Sequence, residues 1–501
     1  MRYLKEHPLL LLTLICIAIF TAHLDALWVN IMEARNFVTA REMLQDSNWL
    51  LTTLNGEPRY QKPPLPTWLS AGSAFLFGIK SVFAMRIPAA IITVVLILIS
   101  YTFTRKLTGN IRYAFISSLI LATSFFIVFS GRNGQWDIFT HGFMMAAIYQ
   151  FYLFFSTPEK KYQRMLLAAL FFGCSFMSKG PVSLYALLLP FIIAYGFVFK
   201  FKKGTKSVLP LLLFLVVSLL LSGWWHIYTY LLDPQQVIAT TTKETTNWTS
   251  YNVRPFYYYW SFFIQSGIWC IPAFISLLYP YLKNKVFFKK GYQFTLLWTL
   301  CSVFLLSVIP EKKSRYLLPV LIPLALNTGF YIEYLFRKFK DLKDKRETIP
   351  VYFNFGIIAF IGIATPVLGY IFLKNTPTTP WIWLIVLSIV LCSIGVLIFS
   401  QLKKKNIITV TYLTVAFIVS AICFGMPLAT STLVNEEYRS FTELKTWQDK
   451  TAISVYEFTY FTPEIIWDYG HTIPVIKKED SIQIPKTNTF GVLVGKEDRT
   501  L

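Results

Sequence analysis

The chain is poor in charge: 15% of its 501 residues are Asp, Glu, Lys or Arg, against 55% hydrophobic and 17% aromatic residues. That balance excludes an ordinary soluble domain and describes an integral membrane protein. Acidic residues are the scarcer sign, 26 against 47 basic ones, for a net charge of +21. Most of the excess sits in short loops between apolar runs, which argues against nucleic acid as a partner. The six cysteines (Cys16, Cys174, Cys270, Cys301, Cys392 and Cys423) lie inside apolar runs, and no CxxC pair occurs. Neither a disulfide framework nor a zinc site is indicated. There is no GxxxxGK[ST], no GxGxxG after a strand and no Asp-x-Asp, so nothing supports a nucleotide substrate. Internal repeats and low-complexity segments are absent as well. The first apolar run follows Arg2 and Lys5, as in a signal peptide, and continues to about Trp28 without a small-residue cleavage site. An uncleaved first helix is expected.

What the chain does have is a series of apolar runs, most of them near the ~20 residues that cross a bilayer. They fall near residues 8–28, 84–106, 111–131, 136–156, 164–179, 181–199, 207–230, 258–282, 292–310, 315–335, 351–373, 380–400 and 407–429. The count is about thirteen spans. Basic clusters occupy alternate loops: Arg105/Lys106/Arg112, Lys160/Lys161/Arg164, Lys200/Lys202/Lys203/Lys206, Lys283/Lys285/Lys289/Lys290, Arg337/Lys338/Lys340 and Lys403/Lys404/Lys405. They group with the N-terminus, which is therefore expected in the cytoplasm. Residues 29–83, 132–136, 231–257, 311–314, 374–379 and 430–501 then face outward. The expected fold is an all-α polytopic membrane domain over residues 1–430, followed by a small α/β domain over 431–501. The tail has helix-like Asn435–Asp449 and Pro463–Tyr469 and strand-like Ile453–Tyr456, Thr472–Ile476 and Phe490–Val494. Its size, about 70 residues, is near the lower limit for burying a core of its own. It is expected to lean on the outward loops.

The first outward segment, residues 29–83, is the most informative. Ala34, Phe37, Val38 and Leu44 fall on one side of a helix whose other side carries Glu33, Arg35 and Glu42, which predicts an amphipathic interfacial helix. Asn55-Gly56-Glu57-Pro58 is turn chemistry. The prolines of Gln61-Lys62-Pro63-Pro64-Leu65-Pro66 enforce extended backbone and hold Lys62 beside the membrane. Further charges gather at the same level: Arg132 and Asp137, Lys179, Arg254, and the loop Glu311-Lys312-Lys313-Ser314-Arg315-Tyr316. Any one of these cations alone reads as a snorkelling side chain. Collected beside Glu33 and Asp137, they suit a lipid-linked phosphate. A transporter or flippase is the competing class, but it would favour repeated halves and charges near the bilayer midplane. His141 lies one helical turn after Asp137, and His226 sits among tryptophans; both read more readily as packing or interfacial residues. Asn247-Trp248-Thr249 is a glycosylation sequon by pattern only.

Met32-Glu33-Ala34-Arg35, Arg41-Glu42-Met43, Leu54-Asn55-Gly56, Lys62-Pro63-Pro64-Leu65 and Trp68-Leu69 resemble the first outward loop of the GT-C glycosyltransferases. The nearest likeness is to the branch of the lipid A aminoarabinose transferase and related protein mannosyltransferases. Arg132 with Asp137, Ser178-Lys179-Gly180-Pro181 and Arg315-Tyr316-Leu317-Leu318-Pro319 resemble later parts of that family, and the likeness covers roughly residues 1–430. The resemblance implies a GT-C fold and an enzyme in a bacterial inner membrane. Such an enzyme takes a sugar from a polyprenyl-phosphate (undecaprenyl-phosphate-like) donor at the periplasmic face. Its acceptor is a hydroxyl or phosphate on lipid A, another glycan or a protein. Arg35 and Lys62 match the positions that hold the donor phosphate, and Lys179 and Arg315 are expected beside them, with Lys312 and Lys313 weaker members of the same cluster. Arg59, Arg132, His141, Arg254, Lys313 and Tyr316 are candidate substrate contacts. Asp137 matches the second acidic residue of the family. The chain departs from the pattern at Met32, where the family has Asp, and at Gln61, where it often has an acid. Glu33 is then the expected base, with Asp137 positioning substrate; alternatively Glu33 pairs with an arginine and braces the loop. The resemblance fixes no cofactor and leaves a divalent cation as an option.

Overall fold

A computed structural model describes the whole chain except residues 1–6, 158, 202–207, 375, 377–379, 433–438, 461, 479–480, 488 and 496–501. Arg2, Lys5, Lys202, Lys203 and Lys206 of the charge alternation, and the predicted helix start at Asn435, lie outside the described residues. Helix α1 (Pro8–Thr21) leads into the outward segment of α2 (Ile31–Asp46), a hairpin of β1 (Thr53–Leu54) and β2 (Glu57–Pro58), and α3 (Leu65–Phe77). The bundle continues through α4 (Val82–Thr108), α5 (Ile111–Thr123), α6 (Phe125–Gly131), α7 (Trp136–Ser156), α8 (Lys161–Lys179), α9 (Leu189–Val198) and α10 (Val208–Leu232). Polar α11 (Pro234–Ser250) follows. Next come α12 (Cys270–Ser276), α13 (Tyr279–Leu282), α14 (Lys289–Val308), α15 (Leu318–Lys338), α16 (Lys345–Leu373), α17 (Trp381–Lys403) and α18 (Ile407–Thr432). The chain closes with α19 (Phe441–Thr451), β3 (Ser454–Glu457), α20 (Pro463–Tyr469), β4 (Lys477–Lys478), β5 (Ser481–Ile482) and β6 (Phe490–Leu493). β3 and β6 pair in parallel, with Ser454 opposite Phe490 and Glu457 opposite Leu493.

Among the described residues eight helices are long and apolar enough to cross a membrane, and nine if the bent pair α5–α6 is one span. The pair bends by 66° at Ser124, whose backbone is extended. α1 and residues 184–198 are shorter apolar helices. α15 is buried on every side from Leu318 to Leu335 and forms the centre of the bundle, as expected of a helix apolar all round. α16 and α17, by contrast, keep long exposed apolar faces, including Phe353, Phe360, Ile382 and Ile389.

Three expectations change. The apolar run at 8–28 is helical only to Thr21, because its last carbonyls turn to two arginines from elsewhere in the chain, described below. The run at 258–282 is not one helix. It breaks into short 3-10 turns (Phe256–Tyr259 and Phe262–Trp269), then α12 and α13. Pro272 and Pro280 interrupt it, and Gly267 turns it at φ 64° close to Phe125, where a Cβ would stand 2.8 Å from Phe125 Cβ. Finally, α2 is no half-wet interfacial helix. Glu33, Ala34 and Asn36 to Met43 are all buried, polar residues included, because α3 and α20 pack on it.

Candidate active site

The site is built on the start of α2. Asn30 caps the helix: its Oδ1 accepts from the Met32 and Glu33 amides (3.0 and 3.3 Å), and Glu33 Oε2 accepts in return from the Asn30 amide and Nδ2 (3.3 and 2.8 Å). Glu33 is completely buried. Arg86, in the first turn of α4, donates to it through Nε (2.7 Å) and Nη2 (3.0 Å), and the Gly134 amide donates to Oε1 (2.9 Å). Arg86 also holds the carbonyls of Leu24, Leu27 and Trp28. Both Glu33 oxygens are therefore engaged in tying α1, α2, α4 and the α6–α7 turn together. This corrects the expectation of Glu33 as a free base: its geometry is that of a brace.

Arg35, two residues further along the helix, is different. Its Nη1 meets the Met32 sulfur at 3.9 Å, and among the described residues it has no carboxylate partner. The thioether carries no charge to neutralise the guanidinium. Arg59, just after the hairpin, lies over the Trp136 ring at 4.9 Å. Burial, and then the neighbouring charge of Arg35, bring its guanidinium down to about 10. Lys62, held by the proline segment, pairs with Glu244 of α11 at 3.6 Å. Burial lowers its pKa, with the charges of Lys179 and Arg59 acting the same way against Glu244.

Asp137 opens α7 and Lys179 closes α8, and the two form a buried ion pair. The Lys179 ammonium lies 5.1 Å from the centre of the Tyr316 ring. Tyr316 donates to Glu311 (3.2 Å), which also receives Lys313 Nζ (2.6 Å). Arg315 has no carboxylate partner among the described residues, and its Nε is buried without a hydrogen bond. All these groups line one cavity of about 2040 Å³, larger than the roughly 300–1,000 Å³ of ordinary small-molecule sites. Its walls carry nine lysines and arginines against five carboxylates, so it favours an anion.

Several sequence candidates fall elsewhere. Arg132 reaches the cavity wall, but its guanidinium donates to the Ile19, Ala22 and His23 carbonyls (2.6, 2.7 and 3.0 Å) and so caps α1. His141 is buried against Ser183 Oγ (Nδ1, 2.7 Å) and does not line the cavity. Arg254 is exposed and outside it, and Lys312 is turned onto the Ile309 carbonyl (2.6 Å). No three His, Cys, Asp or Glu side chains among the described residues gather as a metal site, so the divalent-cation option finds no such cluster. Sequence reasoning missed Arg86 and Glu244. An arginine opening an otherwise apolar span was the available signal for Arg86; nothing local marks Glu244.

The sequence pattern of the dolichyl-phosphate-mannose-protein mannosyltransferase family matches residues 61–226. An uncharacterized protein of Aquifex aeolicus is 25% identical over 337 residues, 66% of this chain and 64% of that protein. An undecaprenyl phosphate-alpha-4-amino-4-deoxy-L-arabinose arabinosyl transferase of Proteus mirabilis is 26% identical over 326 residues, 63% of this chain and 56% of that protein. The matched region thus spans less than two thirds of either relative. The crystal structure of ArnT from Cupriavidus metallidurans bound to undecaprenyl phosphate superposes with a TM-score of 0.69 at 16% identity, covering 95% of this chain and 86% of that one. The fold is that of a polytopic, mostly helical membrane protein. In sequence the chain is similar to these transferases over part of its length, and in fold it is similar to ArnT.

Proposed function

We propose that this protein is an integral-membrane glycosyltransferase. It moves a sugar from a polyprenyl-phosphate donor to a hydroxyl or phosphate acceptor at the outward face of a bacterial inner membrane. The observation that carries this reading is the pair of guanidinium groups, Arg35 and Arg315, that have no carboxylate partner among the described residues and face one cavity together with Lys62, Lys179 and Asp137. An undecaprenyl-phosphate-like donor offers what those groups lack, an anionic head.

In this reading Arg35, Lys62, Lys179 and Arg315 neutralise the phosphate as the bond between it and the sugar breaks, and Arg59 adds positive charge beside Arg35. The departing group is the polyprenyl phosphate, and the new bond joins the sugar to the acceptor oxygen. A hydroxyl acceptor must give up its proton, and Asp137 is the carboxylate placed for that step or for orienting the acceptor, since Glu33 is engaged with Arg86. A phosphate acceptor, already ionised, needs no base. Tyr316 and Lys313 stand at the same wall as further substrate contacts. Lipid A, another glycan and a protein are the acceptor classes to test.

The topology proposed with it has thirteen crossings. These are the eight long apolar helices and the bent pair α5–α6, with α1, α8, residues 184–198 and the broken run at 256–282. The N-terminus is cytoplasmic. Residues from about 431 form a small periplasmic α/β domain. Reporter fusions that placed residue 501 in the cytoplasm would sink that arrangement.

The deciding experiment supplies purified protein in detergent with a polyprenyl-phosphate sugar and looks for transfer to candidate acceptors. Transfer that is lost in Arg35→Ala and Arg315→Ala is the expected result. Full activity in both variants would remove the phosphate-clamp reading. Comparing the glycolipids and glycoproteins of wild-type and deletion cells identifies the acceptor.

A further inference from the structure

The C-terminal segment reaches the site through the buried face of α2. Arg41 is 1% exposed, and its two terminal nitrogens donate to the carbonyls of Ile466 (3.1 Å each) and Trp467 (3.2 Å) at the end of α20. Trp467 packs edge-on to Phe37 of the same helix, centroids 5.3 Å apart. The next residue, Glu42, faces the hairpin turn and accepts from Thr53 Oγ1 (2.5 Å) and the Asn55 amide (2.7 Å). Asn55 and Gly56 both have positive φ (56° and 76°), the backbone of a tight two-residue hairpin turn. The Asn55 side chain then pairs reciprocally with the Ile473 backbone, Nδ2 to O at 2.9 Å and N to Oδ1 at 2.8 Å. Tyr460, Pro463 and Ile466 form part of the cavity wall itself.

One helix thus carries Arg35 toward the cavity and is gripped from behind by residues more than 400 positions later in the chain. The hairpin it steadies ends one residue before Arg59 and four before Lys62. We propose that the C-terminal segment is a positioning element of the anion-binding site. It acts through Arg41 and Asn55 to fix α2 and the β1–β2 turn, and so the placement of Arg35, Arg59 and Lys62. Neither Arg41 nor Asn55 is required to touch the reacting atoms; their part is orientation. The inference deepens the transferase reading and rests on it for its kinetic arm, while its structural arm is independent.

The test uses the full-length protein in detergent and two readouts, hydrogen exchange over residues 53–62 and donor kinetics. Asn55→Gly keeps the left-handed backbone and removes both bonds to Ile473. Arg41→Met removes the grip on α20, and Arg41→Lys restores part of it. Couplings through such packed networks change binding by roughly threefold to thirtyfold. Asn55→Gly and Arg41→Met should each raise exchange over 53–62 and raise the donor KM by that factor, with kcat within about twofold. Arg41→Lys should recover part of the loss. Unchanged exchange and unchanged donor KM in Asn55→Gly overturn the proposal. So does raised exchange with an unchanged KM, which would reduce the contact to packing. Should the wild type transfer no sugar, weaker binding of polyprenyl phosphate in Asn55→Gly together with raised exchange supports the positioning role, and the transferase reading alone falls.

Discussion

Glu33→Gln separates a brace from a base. Glu33 is completely buried and Arg86 is 3% exposed, with contacts of 2.7 and 3.0 Å between them. The amide keeps the size of the side chain and can still accept from Gly134, but it removes the negative charge. Arg86 then remains as a buried cation among the carbonyls of Leu24, Leu27 and Trp28. Removing one member of such a pair costs about 3–5 kcal/mol. The assay is thermal unfolding in detergent, followed by transfer measured per folded molecule. Glu33→Gln should unfold at a clearly lower temperature, and its folded fraction should still transfer sugar. Adding Arg86→Met removes the stranded charge and should recover part of the stability. The recovery stays partial because the three carbonyls lose their donor. A variant with the wild-type unfolding temperature and no transfer would refute this reasoning and return the base to Glu33.

Other outcomes follow from the same geometry. Arg35→Ala and Arg315→Ala each delete a charge-assisted contact of about 1.5–3 kcal/mol, so kcat/KM for the donor should fall roughly tenfold to a hundredfold, with the unfolding temperature unchanged. Lys62 has a lowered pKa, chiefly from burial, so it loses its proton at a lower pH than a free lysine. Donor kcat/KM, which reports the free enzyme, should therefore decline as pH rises through that lowered value; Lys62→Arg, charged throughout, should abolish the alkaline decline. Asp137→Asn should lower kcat toward a hydroxyl acceptor by about a hundredfold or more and leave donor binding within a few-fold; equal losses in donor binding would make it part of the phosphate clamp instead.

What was legible in the sequence was local. The apolar runs and the proline segment holding Lys62 depend on near neighbours, and so does the helical periodicity of Ala34, Phe37, Val38 and Leu44. The apolar stripe of α2 was legible too, but the burial of its polar face was not, because the covering contacts come from Ile466 and Trp467. Arg254 and His141 were candidates by charge and position along the chain. Neither property tells which way a side chain points, and the fold turns one away from the cavity and seats the other on Ser183. The run at 258–282 misled by composition: its residues are apolar enough for a span, while its prolines and Gly267 forbid one straight helix. Arg86 was written in plain view at the start of α4, a charge with no reason to open an apolar helix unless a carboxylate waits for it.

The methionine at position 32 bears on the order of events. Three carboxylates of the cavity are each paired with a lysine: Asp137 with Lys179, Glu244 with Lys62 and Glu311 with Lys313. The guanidiniums of Arg35 and Arg315 have no such partner among the described residues. On the proposed reading, an incoming phosphate therefore meets arginines that need not break an existing ion pair to receive it. Once seated, it competes with the carboxylates for Lys62 and Lys179, and a point-charge ammonium can turn toward it without the planar geometry an arginine requires. As Lys179 turns to the phosphate, Asp137 loses its partner. It becomes a carboxylate able to accept a proton or hold an acceptor hydroxyl at the moment the donor is in place. On the same reading, the uncharged Met32 side chain bears on catalysis through Arg35. It leaves Arg35 free to receive the phosphate, the same phosphate draws Lys179 from Asp137, and the base is available only when there is a sugar to transfer.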